Sequence, residues 1–304
     1  MTLPVLFRSH GGENQKGRPD WFSKLVCLLS AVRAAEAADT ELVFVNNGPI
    51  PEPRLEVMRR AGGEIVDLPN LGIRQSYLAA LELATSGRWD DDQVVWFSED
   101  DYLYQPDSFR RLQDAVPALP DAQYFGLYGS NPENPHPRPE PLPHRPRGWQ
   151  DLGPREVDGH SWVRLYSTTA TFGGRVGPLR EDLPIFRFAT VPHKNMFRDH
   201  DTCLMYQGFE TYSYGRIARD ALGLHPGTPK ERLREVVMSP FYLATNLRSH
   251  RRASRRRLLV SAEPSLATHV ELGYIAPGTD WAATAAETMA WAEDRDLLAH
   301  DLPA

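Results

Sequence analysis

The amino-acid sequence predicts an α/β fold on a mostly parallel sheet, and three observations lead there. Through the first third of the chain, short buried-strand patterns alternate with single amphipathic helical patterns. The polar, glycine-containing clusters follow these strands rather than precede them, which gathers them at one sheet edge, where open α/β sheets bind ligands. After Pro277, the stretch Trp281 to Leu298 is rich in Ala, Glu and Asp and has no Pro or Gly. It predicts a closing helix that packs through Trp281, Met289 and Trp291.

Val5-Leu6-Phe7 reads as the first buried strand, followed by an amphipathic helix from about Trp21 to Ala37 whose start is marked by Pro19-Asp20. Glu41 to Val45 is the second strand and ends in Asn46-Asn47-Gly48-Pro49. A short helix over Arg54 to Ala61 leads to the strand Glu64 to Leu68, and Asn70-Leu71-Gly72 opens a helix that runs through Ala84. Gln93 to Phe97 is the fourth strand and stops at Ser98-Glu99-Asp100-Asp101. Strands separated by single helices imply parallel pairing with helices on both faces. Residues 1–130 form the first half in this reading, 131–276 the second, and 277–304 the terminal helix. The second half begins with a proline-dense stretch, 131–147, that cannot continue a helix or central strand. Beyond it, Trp162 to Tyr166 is strand-like and a helix runs from about Thr202.

Composition narrows the function classes. Hydrophobic residues make up 41% and charged residues 24% of 304, and no apolar run approaches the roughly 18 residues that span a bilayer. The N-terminus enters a strand directly, with no secretory pattern, so the expected location is cytoplasmic. Cys27 and Cys203 each lie in a helical pattern and read as buried small hydrophobes rather than a disulfide framework or thiolate zinc site. A formal net charge of −6 argues against general nucleic-acid affinity. Asn246 to Arg257, with six arginines, is the exception and allows peripheral contact with a membrane surface or an anionic acceptor through Arg248–Arg257.

The chemistry centres on Glu99-Asp100-Asp101. A hard divalent cation takes oxygen ligands and neutralises a pyrophosphate leaving group, and three carboxylates closing a buried strand can supply such ligands. Asp90-Asp91-Asp92 lies before the strand, not after it, and reads as a solvated turn. The triplet resembles the DXD motif of GT-A glycosyltransferases, with Glu99 in the first acidic position. That resemblance covers residues 3–115, and 195–272 through two short segments.

The resemblance implies the GT-A fold, a nucleotide-diphosphate sugar as donor, and Mn²⁺ or Mg²⁺ held directly by Asp101, with Glu99 and Asp100 contacting ribose, metal-bound water or sugar hydroxyls. Asn70-Leu71-Gly72-Ile73-Arg74 is similar to the Asn-x-Gly turn of family 2 transferases, which makes Arg74 a diphosphate or base contact. Asn46 stands where those families carry a base-binding Asp, and Arg8 belongs to a wall of the nucleotide pocket. Phe197-Arg198-Asp199-His200-Asp201-Thr202 resembles the segment that supplies the catalytic base, with Asp201 the first choice and Asp199 the second. Pro264-Ser265-Leu266-Ala267-Thr268-His269 looks like the Pro-Ser-Leu-x-x-His segment of some N-acetylglucosaminyltransferases, which makes His269 a metal ligand ahead of His225 and His250. The implied reaction moves a sugar from a UDP-, GDP- or dTDP-sugar to a hydroxyl of a carbohydrate, glycolipid or small-molecule acceptor. Inversion with an Asp base is the first expectation, with retention open. A nucleotidyltransferase, or a non-catalytic protein that binds nucleotide sugars, is the alternative.

Overall fold

The computed structural model describes residues 2–12, 16–129, 144–191, 198–250 and 255–298. Most of the proline-dense stretch, the start of the 197–202 segment and the middle of the basic run lie outside the described residues.

The first half alternates as the pattern predicts: β1 (Val5–His10), α1 (Lys24–Ala37), β2 (Leu42–Asn47), α2 (Glu52–Arg60), β3 (Glu64–Leu68), α3 (Ile73–Ala84), β4 (Val94–Glu99), β5 (Tyr102–Tyr104), α4 (Ser108–Ala118) and β6 (Tyr124–Gly126). Then follow β7 (Arg155–Val157), β8 (His160–Arg164), β9 (Phe172–Arg175), α5 (Val176–Ala189), α6 (Asp199–Gln207), α7 (Tyr214–Ala221), α8 (Pro229–Arg248), β10 (Leu259–Glu263), β11 (Ala267–His269) and α9 (Trp281–Asp294). Helix α1 begins three residues later than its sequence pattern suggests, because Ser23 rather than Asp20 caps it: its Oγ accepts from the Val26 amide at 3.0 Å.

Nine strands form one sheet in the order β3-β2-β1-β4-β9-β6-β10-β8-β7. The β3-β2-β1-β4 part is parallel throughout, and β6 and β10 also run parallel. The ladders of β9 with β4 and β6, and of β8 with β10 and β7, are antiparallel. The sheet therefore includes strands of both halves, since β6 pairs with β9 and β10.

Strand β9 carries Gly173 and Gly174 at its centre for a packing reason. A Cβ on Gly174 would lie 2.8 Å from the Leu179 side chain, and one on Gly173 would lie 3.1 Å from Trp96. A strand half made of glycine shows no hydrophobic alternation, so it leaves no strand pattern in the sequence.

Successive residues of a strand point to opposite faces, and β4 uses both. Val94 and Trp96 join the core beneath α1, α4 and α9, while Val95 and Phe97 join the core beneath α3, α5 and α6. Both cysteines are buried and free. Helix α9 closes the first face against α1 through fully buried Trp281, whose indole N–H donates to the Ala276 carbonyl at 2.8 Å, with Met289 and Trp291 packed partly buried beside it. Truncating a fully buried tryptophan costs about 3–5 kcal/mol. Trp281→Ala is therefore expected to lower the unfolding free energy by that amount in a denaturant titration, leaving α9 undocked.

Candidate active site

A cavity of about 680 Å³ opens at the carboxyl ends of β1, β2 and β4, as the strand order requires. Arg8, Glu99, Asp100, Asp101, Asp199 and His269 all line it, so six of the residues singled out in the sequence meet at one place.

Each carboxylate of the triplet has a different setting. Glu99 pairs with Arg8, and its amide donates to Thr171 Oγ1 at 3.1 Å. Burial pushes its carboxyl above the usual range against the pull of Arg8, helped by the negative charge of Asp101. Asp100 is a structural hub. Its Oδ2 accepts from the His10 amide at 2.8 Å, lies 3.0 Å from Lys24 Nζ and 3.6 Å from Arg54, and receives Ser9 Oγ at 3.4 Å. The side chains of Lys24 and Arg54 are themselves buried and also donate to the carbonyls of the loop after β1. Asp100 thus fixes that loop to α1 and α2 through one carboxylate oxygen, Oδ2, while also lining the cavity.

Asp101 faces His269 across a short antiparallel ladder. β11 pairs with β5 so that His269 stands opposite Tyr102, and the Val270 amide donates to the Asp101 carbonyl at 2.9 Å. The Tyr102 ring stacks on the imidazole at 5.0 Å between centroids, and its hydroxyl donates to Thr169 at 2.7 Å, which fixes the ring's attitude. Asp101 Oδ2 and His269 Nε2 come to 3.1 Å. Two ligands of one divalent cation, each about 2.1 Å from it and at a right angle, lie about 3 Å apart, so this pair fits as one edge of such a site.

Two cations of the protein already attend Asp101: Arg18 at 2.9 Å and Lys16 at 3.6 Å. Lys16 also lies 3.3 Å from His269 Nε2 and 2.9 Å from Glu271. Burial opposes the charge on Asp101, yet His269, Lys16 and Arg18 together hold its carboxyl well below the usual carboxylate range. Burial likewise disfavours the Lys16 ammonium, but Asp101 and Glu271 outweigh it and raise its pKa.

The other expected residues are placed differently. Asp201 does not line the cavity: its Oδ2 receives Arg198 Nε at 2.9 Å and the Tyr212 hydroxyl at 2.7 Å, and this anchors α6. Asp199, two residues earlier, takes the cavity position. Asn46 is fully buried, donating to Asp67 at 3.3 Å. The adjacent Asn47 reaches the cavity wall and holds the Leu71 backbone through both ends of its amide, at 2.7 and 2.8 Å. Arg74 lies on α3 outside the lining, while Gly72 and Ile73 at the start of that helix are part of it.

His225 pairs with Asp220 at 2.9 Å, and together with Glu235 these form a compact group that Arg216 and Arg234 already neutralise. His250 lies 3.0 Å from buried Asp182. Arg257, the end of the basic run, also pairs with Asp182 and with Glu181 instead of facing solvent.

Lys16, Lys24, Tyr102, Thr169 and Glu271 belong to the site or its rim without having carried a sequence signal as a set. Lys24 did leave one, as the only charge in the otherwise apolar first turns of α1.

No family model matches the chain, and no curated protein matches it. Among solved structures, the crystal structure of S. aureus TarS is similar, with a TM-score of 0.38 and 11% identity over 79% of this chain and 44% of that one. No described helix is long and apolar enough to cross a membrane.

Half-buried Asp199 lines the cavity in the field of Glu99. Burial, aided by Glu99 and opposed by Arg8, pushes its carboxyl up to about 8. In the unfolded chain an Asp ionises near 3.9, so the native state binds the extra proton between about 4 and 8, and stability falls as pH rises through that interval. Asp199→Asn removes this penalty. In metal-free buffer its thermal midpoint is expected to exceed that of the wild type at pH 8.5 and to match it near pH 4; equal midpoints at both would contradict the assignment.

Proposed function

We propose that the chain is a glycosyltransferase of the GT-A type that moves a sugar from a UDP-, GDP- or dTDP-sugar to an acceptor hydroxyl. The observation that carries this reading is the cavity itself, with a 3.1 Å Asp101–His269 pair and basic side chains in one wall and a proton-binding carboxylate, Asp199, in another.

The start of α3, at Gly72 and Ile73, has no side-chain cap and lines the cavity, a natural seat for phosphate oxygens. Arg8 and Lys16 add positive charge at the same cavity. Asp101 and His269 would hold Mn²⁺ or Mg²⁺, which when bound supplies charge neutralisation to the departing diphosphate. Asp199, once deprotonated, would accept the proton of the attacking hydroxyl and act as the base of an inverting transfer, a role its position in the cavity lining supports. Tyr102 and Thr169 keep the His269 ring in its orientation. The position of Lys16 between Asp101, His269 and Glu271 favours a second form of the same reading, in which its ammonium neutralises the diphosphate without a metal.

Ligands that bind the native state raise its thermal midpoint. A panel of UDP, GDP, dTDP and CDP, each with Mn²⁺ or with a chelator, is expected to stabilise the wild type with at least one nucleotide, and Asp101→Ala is expected to lose the metal-dependent part. No shift with any nucleotide would refute the site. A shift that survives chelation and disappears in Lys16→Ala would assign neutralisation to the ammonium. For the base, Asp199→Asn is expected to reduce transfer by about 10²–10⁴-fold while keeping the nucleotide shift. Folded Asp201→Asn should retain turnover, with a lowered midpoint from loss of the Arg198 and Tyr212 contacts. Wild-type transfer is expected to rise with pH toward about 8 as Asp199 loses its proton.

A further inference from the structure

Helix α8 is amphipathic in the inverse sense. Its inward face carries Glu235, Ser239, Tyr242, Thr245 and Asn246, all buried. Leu233, Val237 and Leu247, spaced to share one face with Pro240 and Ala244, point outward. With Leu222 and Leu224 of the preceding turn, these leucines and valine are 64–74% exposed. Of eleven large apolar side chains exposed among the described residues, seven fall between Tyr214 and Leu247, a segment of 34 residues. A helix of a soluble body turns its apolar stripe to the core; this one turns it away.

Charge follows the same segment. Residues 214–257 hold eleven of the chain's 34 Lys and Arg but three of its 40 Asp and Glu. Two of those three acids, Asp220 and Glu235, are buried and paired with arginines. Lys230, Arg248 and Arg234, the last of them paired with Glu235, flank the apolar stripe on one side by their helical spacing and Arg232 flanks it on the other. All four are exposed. The rest of the chain is strongly acidic, whereas the exposed cations of α8 stand beside its apolar stripe. None of these residues lines the cavity.

We propose that the outer face of α8 and the α7–α8 turn form a docking surface for an anionic lipid bilayer. The leucines and valine enter the boundary between headgroups and acyl chains, and the flanking Lys and Arg meet lipid phosphates, the arrangement of an interfacial amphipathic helix. The inner face of α8 is tied to the candidate site: Thr245 receives Arg198, the residue preceding Asp199, at 3.1 Å, and Asn246 holds Tyr212 through bonds of 2.6 and 3.0 Å. A docked α8 therefore presents the start of α6 at a fixed height over the lipid surface. This inference does not depend on the identity of the reaction.

The test is co-sedimentation of the whole protein with phosphatidylcholine vesicles that contain or lack phosphatidylglycerol, at low and high salt, alongside size-exclusion chromatography. Binding is expected only with phosphatidylglycerol, weakening as salt rises. Leu233→Ser combined with Val237→Ser and Leu247→Ser should reduce it roughly tenfold or more. Lys230→Gln with Arg232→Gln should reduce it through the charge term alone. Because the replaced side chains are exposed, thermal midpoints should be unchanged; should the triple variant misfold, each single substitution supplies the comparison. Equal binding to both vesicles, binding to neither, or a wild-type dimer that the serine substitutions dissociate in place of lipid binding would overturn the proposal.

Discussion

The constraint on which the rest of the molecule depends is the placement of three carboxylates in succession at the end of a central strand. Charges drawn out of water need partners, and a buried ion left unpaired is far more destabilising than a complete pair is stabilising. The surrounding structure supplies those partners one by one: Arg8 from β1, Lys24 from α1, Arg54 from α2, and Arg18 with Lys16 from the loop between β1 and α1. Elements distant in sequence are thus drawn to one point by electrostatics, while the two apolar faces of the sheet supply the bulk of the burial. Asp100 bears most of this structural duty. All three carboxylates line the cavity.

The first half of the fold is legible in the sequence because each element there makes its own statement. Strands such as Leu42–Asn47 are buried on both faces, and the helices between them have turn residues at their ends. The second half is harder to read for reasons that differ by element. β9 owes its place to two glycines that let Trp96 and Leu179 approach, so it has no side-chain alternation. α8 turns apolar residues outward and polar ones inward, and it carries Pro240 within its length, so a search for a core-facing stripe passes over it. β11, like β5 in the first half, is three residues long and too short to show a period.

At the candidate site, residue type was legible and geometry was not. Asp199 and Asp201 are equivalent in the sequence, both acids in the first turn of α6. At about 100° of rotation per residue, positions two apart point to nearly opposite sides of a helix, so one of them alone can face the cavity. Which one does so is decided by Arg198 and Tyr212, which claim Asp201. Asn46 and Asn47 repeat the lesson on a strand, where neighbours alternate faces: the first is enclosed beside β3 and the second clasps the turn before α3. His269 was recoverable because its local segment carried the signal, although the ladder that brings it to Asp101 did not.

That ladder has a consequence for how the chain acquires its chemistry. Asp101 and His269 are separated by 168 positions and meet through three residue pairs of β5 and β11. Closing so long a loop carries an entropic cost that only a largely completed core can offset. During synthesis, the N-terminal half emerges with its acidic triplet but without its imidazole. The Asp101–His269 pair therefore exists only after β11 has been made and has folded back against β5, so nascent chains that have not reached it lack the completed pair.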